Sequence, residues 1–212
     1  MTDAAFFDRA AAEYDRSHRR HVPGSEEFYG AAVAAIPYGP DDSIRVLDLG
    51  AGTGLLSAMV AAKLPRSHVT LVDASVKMLR VARQRFSGEP GRFEYRVMDY
   101  AREPLPGAPP GDDRGYDVVV SALSIHHVAD GDKRGLFGKV HNALVEGGIF
   151  VNADQTPGET PQADKNATLK AQLAWMEEAG FEEVVCVYEN ERFVVYGGRK
   201  ARRDLSTERT DG

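Results

Sequence analysis

At 212 residues, with 42% apolar and 27% charged residues, the chain is long enough to bury a substantial core and composed like one ordinary globular domain with a small appendage. A net charge of −6 excludes the basic footprint of non-specific nucleic-acid binding, though a local patch would still serve a nucleic-acid substrate. A lone cysteine, Cys186, excludes an internal disulfide, and no apolar run approaches the ~18 residues of a membrane span or the core of a leader peptide, so the expected protein is cytoplasmic, with no membrane contact.

The predicted elements alternate along the chain. Residues 3–20 and 25–36 have helical patterning and are separated by HVPGS, where Pro23 and Gly24 punctuate and Ser25 is placed to cap, with Glu27 close behind. Together they make an N-terminal helical cap over 1–40. The segment SIRVLDLG then reads as a strand and GLLSAMVAAKL as a helix with an apolar face. HVTLVD is a second strand, followed by ASVKMLRVARQRF, in which Val76, Leu79 and Phe86 recur at helical spacing. RFEYRVMD alternates as a third strand, and 103–115 is a Pro/Gly-rich surface loop. YDVVVSAL is a continuous apolar strand of the type covered on both faces. DKRGLFGKVHNAL is a helix stopped by Gly147 and Gly148, and IFVNAD is a fifth strand. ATLKAQLAWMEEAG is an amphipathic helix ending at Gly180, with Trp175 and Met176 as core positions. The segment from Phe181 reads as two strands joined by a tight turn at Glu189-Asn190, with Cys186 a buried apolar group among valines. A polar, frayed tail covers 200–212, leaving a core domain over 41–199.

Five βα units and a terminal hairpin predict an α/β fold. Its Rossmann-like sheet is doubly wound and mostly parallel, with helices on both faces. Ligands of such sheets bind beyond the carboxyl ends of the strands, here at Gly50, Asp73, Asp99, Ser121 and Ala153. Gly50-Ala51-Gly52-Thr53-Gly54 is G-x-G-x-G rather than the dinucleotide G-x-G-x-x-G, and Asp48 precedes it. A carboxylate there is poorly placed for a pyrophosphate and suits a cofactor carrying positive charge, an amine or a sulfonium. Asp73 lies 19 residues beyond Gly54. It is placed either to accept from both hydroxyls of a ribose or to cap the helix starting at Ser75. Asp99-Tyr100 offers an acceptor and a flat ring, as an adenine would use, or is a solvated loop pair.

The motifs VLDLGAGTG, LVDAS, MDY and YDVVVSALSIHHV, in this order and spacing, resemble those of the class I S-adenosylmethionine-dependent methyltransferases. The closing FVVYGG strand is similar to the family's terminal hairpin, and the resemblance spans about residues 6–199. It implies a seven-stranded sheet with the last strand antiparallel. It also implies S-adenosylmethionine as cofactor, with Asp48, Gly50, Ala51, Gly52 and Gly54 along the methionyl part. Asp73 and Ala74 would lie at the ribose, Asp99 and Tyr100 at the adenine, and Ser121 on the pocket wall. The cap's AAEYD resembles the family's tyrosine motif, placing Tyr14 over the methionyl end or the acceptor. Competing readings are a protein that binds S-adenosylmethionine without turnover and, further off, a nicotinamide-dependent oxidoreductase.

Methyl transfer needs a general base only when the acceptor loses a proton. SIHHV supplies His126 as the first candidate base and His127 as the weaker one, against a plain packing role. These histidines and Asp154 lack ligand spacing, so no metal is predicted. Asn152, Asp154 and, from the basic cluster His18-Arg19-Arg20-His21, Arg19 are candidate contacts for a small-molecule acceptor. No motif or basic face for a nucleic-acid substrate is present, and monomer and homodimer are both open. One departure stands out: a related subgroup places further helices between the fifth strand and the ATL helix, where this chain has only 155–166. Either the site is unusually open and suits a bulky acceptor, or a roofing segment is missing.

Overall fold

The structure, a computed structural model, describes residues 25–107, 115–155 and 167–202. Its strands are β1 (Arg45–Leu49), β2 (His68–Asp73), β3 (Phe93–Val97), β4 (Tyr116–Ala122), β5 (Leu144–Gln155), β6 (Phe181–Glu189) and β7 (Phe193–Lys200). The helices are α1 (Ser25–Ala34), α2 (Leu55–Lys63), α3 (Val76–Arg85), α4 (Asp130–Ala143) and α5 (Leu169–Glu178), with a 3-10 turn at Ile125–His127. One sheet takes all seven strands in the order β3-β2-β1-β4-β5-β7-β6. The five strands β1–β5 pair in parallel, and β7 runs antiparallel to both β5 and β6.

Every residue of β1 is buried, as a central strand covered on both faces requires. Side-chain alternation divides the core in two. Val46 and Val118 face one side, where α1, α2 and α3 add Phe28, Val60 and Leu79. Leu47, Val119 and Phe150 face the other, where α4 and α5 add Phe137 and Met176. Helix α1 is held at its end by Lys63, whose ammonium donates to the carbonyls of Val33 (2.9 Å) and Ile36 (2.6 Å). Arg92 does the same for α2, donating to Ala61 and Leu64 at 2.8 Å each. Because β1 lies between β2 and β4, connections leave it to opposite sides and open a crevice at the carboxyl ends of these strands.

Four boundaries differ from expectation. Gly147 and Gly148 do not end a helix; α4 stops at Ala143 and β5 already starts at Leu144, running through both glycines. The ladder with β4 slips there, from Tyr116↔Leu144 to Val118↔Ile149, so the glycines form an irregularity inside the strand. The hairpin turns later than Glu189-Asn190, because the Asn190 side-chain carbonyl accepts from the amides of Arg192 (2.9 Å) and Phe193 (2.8 Å) and closes the turn from that side. Lys200 belongs to β7 rather than to a tail, its ammonium donating to the Leu144 carbonyl at 2.7 Å. Helix α1 ends at Ala34, two residues early.

The expected first helix with Tyr14 and Arg19, residues 108–114 of the Pro/Gly loop, the connection 156–166 and the tail from 203 lie outside the described residues. Among the described residues no helix is long and apolar enough to cross a membrane. At the outer edge, β6 exposes Val185 and Val187 and breaks register with β7 at two places.

Candidate functional site

The loop after β1 is left-handed at Gly50 (φ 69°) and Gly52 (φ 56°). A Cβ on Gly50 would fall 1.8 Å from the Ser124 hydroxyl and 3.3 Å from the Tyr100 ring. That missing atom lets Ser124 and Tyr100 close against the loop, joined to each other by a 2.6 Å hydrogen bond. Gly52 has nothing within 4 Å of where its Cβ would be, so its backbone lies bare to the crevice. The Ala51 amide donates to the Val72 carbonyl at 2.9 Å, and the Gly52 amide donates to Asp73 Oδ2 at 2.9 Å. Asp73 Oδ1 accepts from the Ser75 amide at 2.7 Å. The cap of α3 is Ser75, which accepts from Met78 at 3.1 Å. Asp73 is thus the tie between the glycine loop and the start of α3, not the cap itself.

Around this loop lies a cleft of about 920 Å³, including the space at its mouth. Its wall includes Asp48, Gly50, Ala51, Gly52, Asp73, Ala74, Asp99, Tyr100 and His127 among the residues foreseen from sequence. Asp48 is 1% exposed. Ser57 donates to its Oδ2 at 2.6 Å, while its Oδ1 is buried with no hydrogen-bond partner among the described residues. Burial pushes this carboxyl up to about 7, with the Ser57 hydrogen bond opposing and the Asp73 charge adding. Asp99 accepts from the Ala101 amide at 3.1 Å and lies 3.4 Å from the Arg102 guanidinium. Burial pushes the Tyr100 phenol well above its usual range, so it stays neutral.

Five residues foreseen at the pocket lie elsewhere. Gly54 is left-handed (φ 80°) and packs on the Phe86 ring, 2.8 Å from where its Cβ would be, off the cleft wall. Ser121 is fully buried, its hydroxyl donating to the Leu49 carbonyl at 2.8 Å between β4 and β1, and it is not on the cleft wall. Ser124 takes that place, carried round by Leu123, which sits at φ 49° and donates its amide to the Ala153 carbonyl at 2.8 Å. A left-handed leucine costs about 1–2 kcal/mol, held here by the surrounding contacts. Asn152 and Asp154 are buried behind the cleft rather than on its wall. The two histidines also separate. His127 lines the cleft, whereas His126 turns to Asp154, its ring centroid 3.9 Å from that of His127. Tyr29 of α1 and Met78 of α3 also line the cleft and were not foreseen; periodicity marks both as core positions and gives no sign of the cleft they border. Among the described residues no cluster of His, Cys, Asp and Glu is arranged to hold a metal ion.

A sheet of this order, with an antiparallel final strand, a glycine loop after the first strand and acids ending the next two, is the architecture of class I methyltransferases. The chain matches the methyltransferase domain family over residues 46–148. Over those residues it carries the domain of the class I S-adenosylmethionine-dependent methyltransferases. A demethylmenaquinone methyltransferase of Clavibacter sepedonicus is 32% identical over 127 residues, 60% of this chain and 48% of that protein. A malonyl-[acyl-carrier protein] O-methyltransferase of Marinomonas sp. is 31% identical over 160 residues, 75% of this chain and 53% of that protein. The chain spans about half the length of these two curated relatives. The N-methyltransferase NodS of Bradyrhizobium japonicum, solved with S-adenosyl-L-homocysteine, shares the fold at a TM-score of 0.75 and 14% identity, covering 94% of this chain and 99% of that one.

Proposed function

We propose that the protein transfers the methyl group of S-adenosylmethionine to a small-molecule acceptor in the cytoplasm. The observation that carries this reading is the orphaned Oδ1 of Asp48, a buried carboxylate oxygen beside the bare glycine loop. Such an atom is costly without a partner and is relieved by a cationic ligand. S-adenosylmethionine, when bound, supplies an activated methyl on a positively charged sulfur.

The backbone of Gly50, Ala51 and Gly52 supports the methionyl part, with Gly54 turning the chain into α2 behind them, and Asp48 attracts its positive charge. Asp73 and Ala74 hold the ribose. Asp99 and the Tyr100 ring hold the adenine. Ser121 serves from behind by fixing the end of β1. The roles expected for Tyr14, at the cofactor, and Arg19, at the acceptor, fall outside the described residues. His127 forms the wall on the acceptor side, and His126 takes a proton where the acceptor releases one. Orientation of the two reactants then supplies much of the rate. The acceptors named for the relatives, a demethylmenaquinone and a malonyl-acyl carrier protein, differ too much in shape to be carried over.

Isothermal titration with S-adenosylmethionine, S-adenosylhomocysteine and NADH tests the reading, repeated with Asp73→Ala. Both sulfur nucleotides should bind, more weakly to the variant, and NADH should not. Absence of binding by either sulfur nucleotide would return the protein to an α/β fold without an assigned cofactor.

A further inference from the structure

Asp154 was foreseen as an acceptor contact, and its surroundings give it another role. It is 4% exposed and meets four donors. Its Oδ1 accepts from the His126 ring Nδ1 at 2.5 Å and the Gln155 amide at 2.8 Å. Its Oδ2 accepts from the His126 amide at 3.0 Å, with the Asn152 side-chain nitrogen at 3.5 Å. A carboxylate has about four acceptor positions, so none remains for a ligand. Behind it runs a buried chain of hydrogen bonds. The Asn152 amide donates to the Tyr196 hydroxyl at 2.8 Å, and that hydroxyl donates to Gln172 Oε1 at 2.7 Å. Gln172 in turn donates to the Ala167 carbonyl at 3.0 Å, just before α5. Facing a group that only accepts, Nδ1 of His126 must be the ring nitrogen that carries hydrogen. The other nitrogen, Nε2, makes no hydrogen bond to any described residue, and the side chain is 19% exposed.

We infer that Asp154, braced by Asn152, Tyr196 and Gln172, fixes His126 in the Nδ1–H tautomer and so leaves its Nε2 lone pair as the proton acceptor for a hydroxyl-bearing methyl acceptor. This rests on the methyltransferase reading. In the step it serves, the acceptor's O–H proton passes to Nε2, the freed oxygen pair bonds the methyl carbon, and the C–S pair stays on sulfur. One positive charge leaves the sulfur and one appears on the imidazole, beside the Asp154 carboxylate. A carboxylate or thiolate acceptor has no proton to lose and would leave this arrangement without work to do, whereas an alcohol, phenol or enol requires it. Asp154 is accordingly a positioning residue, acting through the histidine.

The tautomer can be read directly by nitrogen-15 NMR of the imidazole rings in the ligand-free full chain at alkaline pH, with His126→Gln assigning the signal. The wild type should show hydrogen on Nδ1 and a lone pair on Nε2. Asp154→Ala and Asp154→Asn should lose that signature, and Asp154→Glu should restore it in part. A wild-type ring carrying hydrogen on Nε2 would overturn the inference, since a donor there accepts nothing; so would a tautomer indifferent to Asp154. The wild-type spectrum decides even if a variant fails to fold. No cofactor enters the measurement, so its outcome is separate from that of the S-adenosylmethionine titration.

Discussion

Replacing Asp48 by asparagine should stabilise the ligand-free protein at pH 8 and leave it nearly unchanged at pH 4. Holding this carboxyl at about 7 instead of 3.8 costs its charged form about 4 kcal/mol. A carboxyl that binds its proton more tightly folded than unfolded favours the fold fully below about pH 4. That advantage drains away as the pH rises to about 7 and is gone above it. Asparagine keeps the shape, can still accept from Ser57, and never carries the charge. The variant should therefore gain up to about 4 kcal/mol over the wild type at pH 8, on the order of 10 °C in melting temperature for a chain of this size. Calorimetric melts of both proteins between pH 4 and 8.5 would measure it. The same substitution should abolish or strongly weaken binding of S-adenosylmethionine, the usual trade between stability and function. A stability difference that stays constant over this pH range would refute the reasoning, because it would mean Asp48 does not change its charge there.

A related expectation concerns protons: near pH 7, S-adenosylmethionine should displace a fraction of a proton from Asp48, seen as a dependence of the binding heat on the buffer's ionisation enthalpy. Equal heats in all buffers would contradict it. Gly50→Ala should cost about 3 kcal/mol in urea unfolding, since its Cβ would collide with Ser124 in a left-handed backbone. Gly52→Ala, with open space before it, should cost only about 1–2 kcal/mol and act mainly on ligand affinity. Similar losses for the two would show that the collision is not what matters. Tyr196→Phe should destabilise by about 2–4 kcal/mol, as the Asn152 amide and the Gln172 carbonyl each lose a buried partner. Urea unfolding reads this directly, and a near-zero effect would mean the two amides re-pair.

The cleft was legible where chemistry sits on a strand end. Asp48, Gly52, Asp73 and Tyr100 are fixed by the local strand–loop–helix pattern, and parallel strands bring their ends together whatever the loops do. What depends on a chain reversal or a distant partner was not legible. Ser124 replaces Ser121 on the wall because Leu123 adopts a left-handed backbone, which nothing in a leucine announces. Asn152 and Asp154 were read as acceptor contacts, and the buried network they enter instead was not legible. Their partners, Tyr196 and Gln172, lie 44 and 24 positions away along the chain from the residues they bond, Asn152 and Tyr196. The early start of β5 escaped because paired glycines usually end helices, and only the slipped register with β4 shows them tolerated inside a strand.

The outer strand has a consequence for how copies of the protein behave when crowded. An unpaired strand edge invites another chain to add to the sheet, and the stretch Val-Val-Cys-Val-Tyr at 184–188, with Val185 and Val187 about half exposed, has the composition of such a template. Glu182 and Glu183 stand before it and Glu189 after it, all exposed, and its two breaks in register twist the edge away from a straight ladder. A second copy laid alongside would bring like charges together at both ends of the apolar stretch and find no continuous row of partners. Glutamates so placed disfavour edge-to-edge growth of the sheet.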